Sequence, residues 1–107
     1  VPAYLGEFEQ LVLLAALKLE DEATGGAIRT AVADGSRRTV WIGAVHTTLD
    51  RLEMKGLVRS RLVPAVDASG RGRKIYSVQP AGRAAIGHAY TTWVRMTRGL
   101  KPKLESS

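Results

Sequence analysis

The sequence predicts one α+β domain, mainly α, in which three helices lead into a two-stranded hairpin and a fourth helix closes the chain. Three observations carry that expectation. Apolar residues recur at three- and four-residue spacing in residues 6–20, 25–34 and 43–55 and again from 80 onward, the period of a helix with one buried face. Residues 57–63 and 74–78 are rich in β-branched side chains and are separated by a Pro, Asp, Ser and Gly segment, as in a hairpin with a long loop. With 107 residues, 45% hydrophobic and 24% charged, the chain has ordinary globular composition and one domain's length, enough to bury roughly two-thirds of its unfolded surface.

The first helix, 6–20, places Phe8, Leu11, Val12, Ala15 and Leu19 on one side, and Glu7 and Glu9 at its start suit the positive end of the helix dipole. A turn around the two glycines at 25 and 26 follows. The second helix, 25–34, has Ile28 and Val32 four residues apart, with Gly35 as its expected terminator. Residues 36–42 form a basic connector with room for one short strand at Thr39–Trp41. The third helix, 43–55, is the clearest of the set: Val45, Leu49 and Leu52 form one stripe, Gly43 allows close approach at its start, and Gly56 ends it. Pro80 suits the first turn of the last helix, which is expected to run to about Arg98.

Helix, helix, helix, hairpin, helix is the order of a winged helix–turn–helix, here with a C-terminal dimerisation helix. Residues 1–79 form the DNA-binding unit, 80–98 the dimerisation helix, and 99–107 a frayed tail. In this architecture the third helix enters the major groove and the hairpin wing straddles neighbouring phosphates. The charge agrees. Sixteen basic residues face ten acidic ones for a net charge of +6, which points to a polyanionic partner, nucleic acid before membrane. Five acids and one lysine fall within residues 1–23, and the other fifteen basic residues lie beyond, so one positive face is expected with the acidic segment turned away from it.

The chain has no cysteine, which excludes disulfides, thiol catalysis and thiolate metal sites. His46 and His88 share no ligand spacing, so neither a metal, a cofactor nor an enzyme active site is expected. The longest apolar run, Leu11 to Leu17, is far short of the ~20 residues of a membrane span. No basic stretch precedes it, which leaves the cytoplasm as the expected compartment.

Opposite the buried stripe of the third helix lie Thr47, Asp50, Arg51 and Met54, with His46 on one flank. DNA contacts are expected from His46, Thr47, Thr48 and Arg51 on this helix, from Arg37 and Arg38 before it, and from Arg71, Arg73 and Lys74 on the wing. Gly70 and Gly72 would let the wing backbone approach closely. Along the last helix Ile86, Tyr90, Trp93 and Thr97 recur every three to four residues. That stripe is expected to pack on a second subunit rather than on the first helix of its own chain. Tyr90 and Trp93 would then line a cavity at the dimer axis suited to a small aromatic effector.

The segments LGEFEQLVLLAAL (5–17), GAVHTTLDRLEMKGLVRSR (43–61) and RGRKIYSVQPAGRAA (71–85) resemble the PadR-like transcriptional regulators, over about residues 5–90. The resemblance implies a dimeric DNA-binding repressor whose C-terminal helix supplies much of the dimer contact. Four positions depart from the family pattern. His46 and Thr24 stand where tyrosines are usual, Ile75 replaces a wing aromatic, and Gln79 replaces a threonine that caps the last helix. The first bears on DNA sequence preference and the rest on packing and capping. A two-fold dimer implies a palindromic operator. The rival from another class is a winged helix used only as a protein-interaction module, whose mark would be an apolar outer face on the third helix.

Overall fold

Helix α1 (Glu7–Leu19) opens the structure, a computed structural model that describes residues 4–65 and 70–106. A single 3-10 turn at Glu20–Glu22 leads to α2 (Gly25–Ser36) and α3 (Ile42–Met54). Strands β1 (Val58–Val63) and β2 (Arg73–Val78) pair antiparallel, with Ser60 opposite Tyr76 and Leu62 opposite Lys74. Helix α4 (Pro80–Thr97) and the short α5 (Lys101–Glu105) complete the chain. This is the winged helix–turn–helix that the order of elements predicts.

The core joins the predicted stripes. Val12, Leu13 and Ala16 of α1, Ile28 and Val32 of α2, and Val45, Leu49 and Leu52 of α3 bury together, sealed by Val40, Leu57, Val58, Tyr76 and Ile86. The wing is stitched to this bundle through its backbone: the Tyr76 N–H donates to the Ala23 carbonyl at 2.9 Å. At the far end of β2 the Gln79 N–H donates to the Leu57 carbonyl, also at 2.9 Å.

Local chemistry sets the helix ends. Thr24 caps α2, its hydroxyl accepting from the Ala27 N–H at 3.1 Å. Helix α3 stops as the sequence requires: Gly56 takes φ +76°, its N–H reaches the Glu53 carbonyl, and the Leu57 N–H reaches back to Leu52. That pair of bonds is a Schellman closure, with Leu52 and Leu57 as its apolar contact. Gln79, which replaces a capping threonine, makes no cap bond to α4; its amide donates to the Ser77 carbonyl instead.

Four expectations change. Gly35 does not end α2; the helix continues to Ser36, whose hydroxyl bonds back to the Val32 carbonyl at 2.6 Å, and Arg37 takes the left-handed conformation at φ 56°. Residues 39–41 form no strand, because the short connector has no neighbouring edge to pair with. Gly43 lies inside the first turn of α3, and a Cβ there would meet nothing within 4 Å. The tail expected to fray contains α5, with Pro102 in its first turn.

Gly82 is required by space. A Cβ there would collide with the Leu57 carbonyl and come within 2.9 Å of Val78 Cγ1. Helix α4 can therefore sit on the turn between α3 and β1 only where it carries no side chain. Replacing Gly82 with Ala is expected to lower stability by about 1–3 kcal/mol, as overpacking does, read as a lower denaturant midpoint at an unchanged m value.

Glu9 is the one charged core residue among those described, at 7% exposure. Its Oε1 accepts from the Gly6 N–H at 2.9 Å, and its Oε2 accepts from Lys55 Nζ at 2.8 Å. One carboxylate thus closes the start of α1 and ties it to the end of α3. Burial works to raise its pKa, but the Lys55 and Gly6 bonds, with the charges of Lys55 and Arg51, hold it below the ordinary glutamate value of 4.5. Stability from this group is therefore full above pH 4.5 and lost as pH falls through the lower folded value. Glu9→Gln is expected to cost about 1–2 kcal/mol at neutral pH. Chemical melts at a series of pH values check this: the gap between variant and parent should close in acid.

Candidate nucleic-acid interface

Helix α3 faces two ways. Val45, Leu49 and Leu52 point into the core, while Gly43, His46, Thr47, Asp50, Arg51 and Met54 are exposed. Thr48, expected on the DNA-facing side, is instead 5% exposed, on the buried side with Val45 and Leu52.

The helix is fixed at both ends. Beyond the Glu9–Lys55 pair, Glu53 Oε2 accepts from the Ser60 hydroxyl at 2.8 Å and the Ser60 N–H at 3.1 Å, which ties α3 to the first wing strand. The Ser60 hydroxyl and N–H, with the charge of Lys74, hold the Glu53 carboxyl below the usual range. At the other end Arg29 Nη1 donates to the Val40 carbonyl at 3.3 Å and steadies the connector into α3. Neither residue carries a local signal of this role, since a lone Arg in α2 and a Glu at the end of α3 have the pattern of solvated side chains.

His46 is positioned by a residue that the sequence reading left unused. A Cβ on buried Gly25 would come within 2.7 Å of His46 Cε1. The Cε1 end of the imidazole therefore approaches the start of α2 closely, and a side chain at position 25 would have to displace it. The signal was present in the Thr-Gly-Gly run at 24–26, but only tertiary contact assigns it to His46.

The cations collect around α3. Arg37 and Arg38 are exposed just before it. Arg38 Nη2 pairs with Glu7 Oε1 at 2.9 Å, an exposed bridge of the weak kind that a phosphate can displace. The acidic segment is thus not wholly turned away from the positive face: Glu7 and Glu9 meet Arg38 and Lys55 directly, while Glu20, Asp21 and Glu22 are exposed on the 3-10 turn.

On the wing Arg59 and Arg61 share one side of β1, and Arg71, Arg73 and Lys74 are exposed at and before β2. Lys74 Nζ sits 5.7 Å from the Tyr76 ring centroid, an attraction that orders its long stem. Gly70 has φ +71°, and a Cβ on Gly72 would come within 2.6 Å of the Val63 carbonyl. The close approach that Gly72 permits is therefore to the opposite strand. Asp67 and Ser69 of the predicted loop lie outside the described residues.

Helix α4 divides its stripe. Ile86, expected at an interface between subunits, is 6% exposed and belongs to the domain's own core, because the first turns of α4 pack on α1. Further along, Tyr90 and Trp93 stand out, Trp93 at 60% exposure, with Val94, Met96, Leu100 and Leu104 also exposed. Thr97 is half-buried, and its hydroxyl bonds back to the Trp93 carbonyl at 2.6 Å. Tyr4, Ala85, His88, Ala89 and Trp93 edge an open groove of about 340 Å³. Among the described residues there is no cluster of three metal-ligating side chains, and no helix is long and apolar enough to cross a membrane.

Known proteins supply the comparison. The profile of the Transcriptional regulator PadR-like family matches residues 13–88. A PadR family transcription regulator from hypervirulent Clostridium difficile R20291 superposes with a TM-score of 0.75 at 22% identity, covering 92% of this chain and 99% of that one. A PadR-like transcriptional regulator from Bacillus cereus gives a TM-score of 0.71 at 18% identity, covering 94% and 93%. The Aeropyrum pernix ORC1 protein in complex with DNA gives 0.62 at 26% identity, covering 78% of this chain and 24% of that one. No curated protein matches the sequence. The profile match runs from the middle of α1 into α4 and so takes in α3 and the wing with their exposed polar and basic side chains; the chain belongs to the PadR-like family of DNA-binding transcriptional regulators.

Proposed function

We propose that the protein acts as a homodimeric repressor that occludes a promoter by binding a palindromic operator in duplex DNA. The observation that carries this reading is the outer face of α3, polar and exposed between Arg37 and Arg38 on one side and the cationic wing on the other. In such a complex Thr47, Arg51 and the free edge of His46 meet base edges or phosphates. Arg37, Arg38, Arg71, Arg73 and Lys74 take the backbone. The ORC1 protein, about a quarter of which matches this fold and which is described in complex with DNA, supports the choice of partner.

Dimerisation is assigned to the outer half of α4. Tyr90 and Trp93 are large, exposed and on one side of a helix whose inner half is already used in the core. Two copies related by a two-fold axis present their α3 helices about one DNA turn apart. The groove beside Trp93 is assigned to a small planar apolar effector, its walls completed by the second subunit. A rival reading, a protein-interaction module, draws on the exposure of Trp41, Ile42 and Met54 around α3. The flanking arginines favour DNA.

The test is binding to duplex DNA from the gene's own upstream region against scrambled competitor over a range of salt. With ~8 phosphates neutralised per dimer, log K should fall against log salt with a slope of about −7. A slope near zero, or binding lost to competitor, removes the specific-regulator reading. Arg51→Ala is expected to weaken specific binding by ~1–3 kcal/mol where it meets a base, and less where it meets phosphate. Trp93→Ala should shift the dimer toward monomer in sedimentation and weaken operator binding through that loss; a full dimer would relocate the interface.

A further inference from the structure

The leading turn of α3 carries an apolar surface that neither the core nor the α4 interface uses. Trp41 is 74% exposed, and Ile42, Gly43 and Ala44 beside it are exposed as well. Trp41 occupies the N-cap position yet makes no side-chain cap bond, so the chain forgoes the serine or aspartate that would stabilise α3 there. Its backbone is nonetheless held. Val40 before it is buried and its carbonyl is bound by Arg29, while the Trp41 carbonyl accepts from the Ala44 and Val45 N–H groups at 3.1 and 3.3 Å. The indole is thus presented to solvent from a fixed base. A Cβ on Gly43 would meet nothing within 4 Å, so this turn keeps a low profile where a groove wall would approach.

The chemistry of this turn narrows what it can recognise. Side chains at the N-terminal end of a recognition helix meet base edges. Among Trp41, Ile42, Gly43 and Ala44 the one polar side-chain atom is the indole nitrogen, a donor only. None can make the paired bonds that select guanine or adenine. The apolar feature of the major groove is the thymine 5-methyl group. Arg37 and Arg38, exposed immediately before the turn, supply the attraction to phosphate that would bring the apolar surface against it.

We infer that Trp41 and Ile42 are specificity-determining residues that read thymine 5-methyl groups in each half-site. The inference rests on the DNA-binding reading above and adds what part of the base is read. It makes the apolar exposure at α3 a recognition surface in place of a docking site for another protein.

The test uses the full chain. A site is first selected from a random-sequence duplex library, and each of its thymines is then replaced in turn by deoxyuridine, which lacks only the methyl group. The parent is expected to lose about fourfold in affinity for each methyl that it covers, at one or two positions per half-site. Trp41→Ser, which restores a cap and should melt no lower than the parent, is expected to bind thymine and uracil sites alike with an unchanged salt slope. Trp41→Leu should keep part of the preference. Equal binding of all uracil sites by the parent overturns the inference while leaving the regulator reading in place, as does a Trp41→Ser variant with the parent's thymine preference. Failure to select any site overturns both.

Discussion

The Glu9 carboxylate is the constraint on which the DNA-facing geometry depends. A charge placed inside a small core is costly unless it is paired and fully hydrogen-bonded, and here both oxygens are engaged, one at Gly6 and one at Lys55. Because those partners sit at the start of α1 and the end of α3, satisfying the carboxylate fixes the crossing of the two helices. The apolar stripes of α1 and α3 attract without specifying a register, since leucine and valine contacts are non-directional. The ion pair, buried at Glu9 and open to solvent at Lys55, adds a directional contact.

From that joint the rest of the interface follows by short links. Lys55 is the cap residue of α3, and Gly56 and Leu57 turn the chain directly into β1. Glu53, the penultimate residue of the helix, holds Ser60 of the same strand. The first wing strand is therefore bonded directly to α3. Gly82 lets α4 rest on the Leu57 carbonyl, so the helix assigned to dimerisation is referenced to the same turn.

The site is less uniformly cationic than the net charge suggests. Glu7 and Glu9 partner Arg38 and Lys55, and the exposed face of α3 carries Asp50 and Met54 beside Thr47 and Arg51. Positive charge is concentrated before the helix and on the wing. Under the proposed function that arrangement would separate attraction from discrimination: flanking arginines suit the sequence-independent backbone, while neutral, apolar and acidic groups on α3 would be left to distinguish base edges.

The sequence by itself determined the element order, the core stripes and the C-terminal end of α3, because each depends on local periodicity or on a residue such as Gly56 whose conformation is nearly unique. It also located the exposed Thr47, Arg51, Arg73 and Lys74, whose sides follow from counting along a helix or strand. What it could not decide were choices between two plausible sides. Thr48 lies near the edge of the buried stripe, and a small rotation of α3 determines whether it faces water or core; the packing against α1 turned it inward. Ile86 fits an apolar interface equally well in its own domain or a partner, and the contact of α4 with α1 claimed it for the core. The roles of Gly25 beneath His46, Glu9 beside Lys55 and Gly82 against Leu57 were settled only by tertiary structure, since each joins residues about twenty or more positions apart and no local pattern encodes which distant group will arrive.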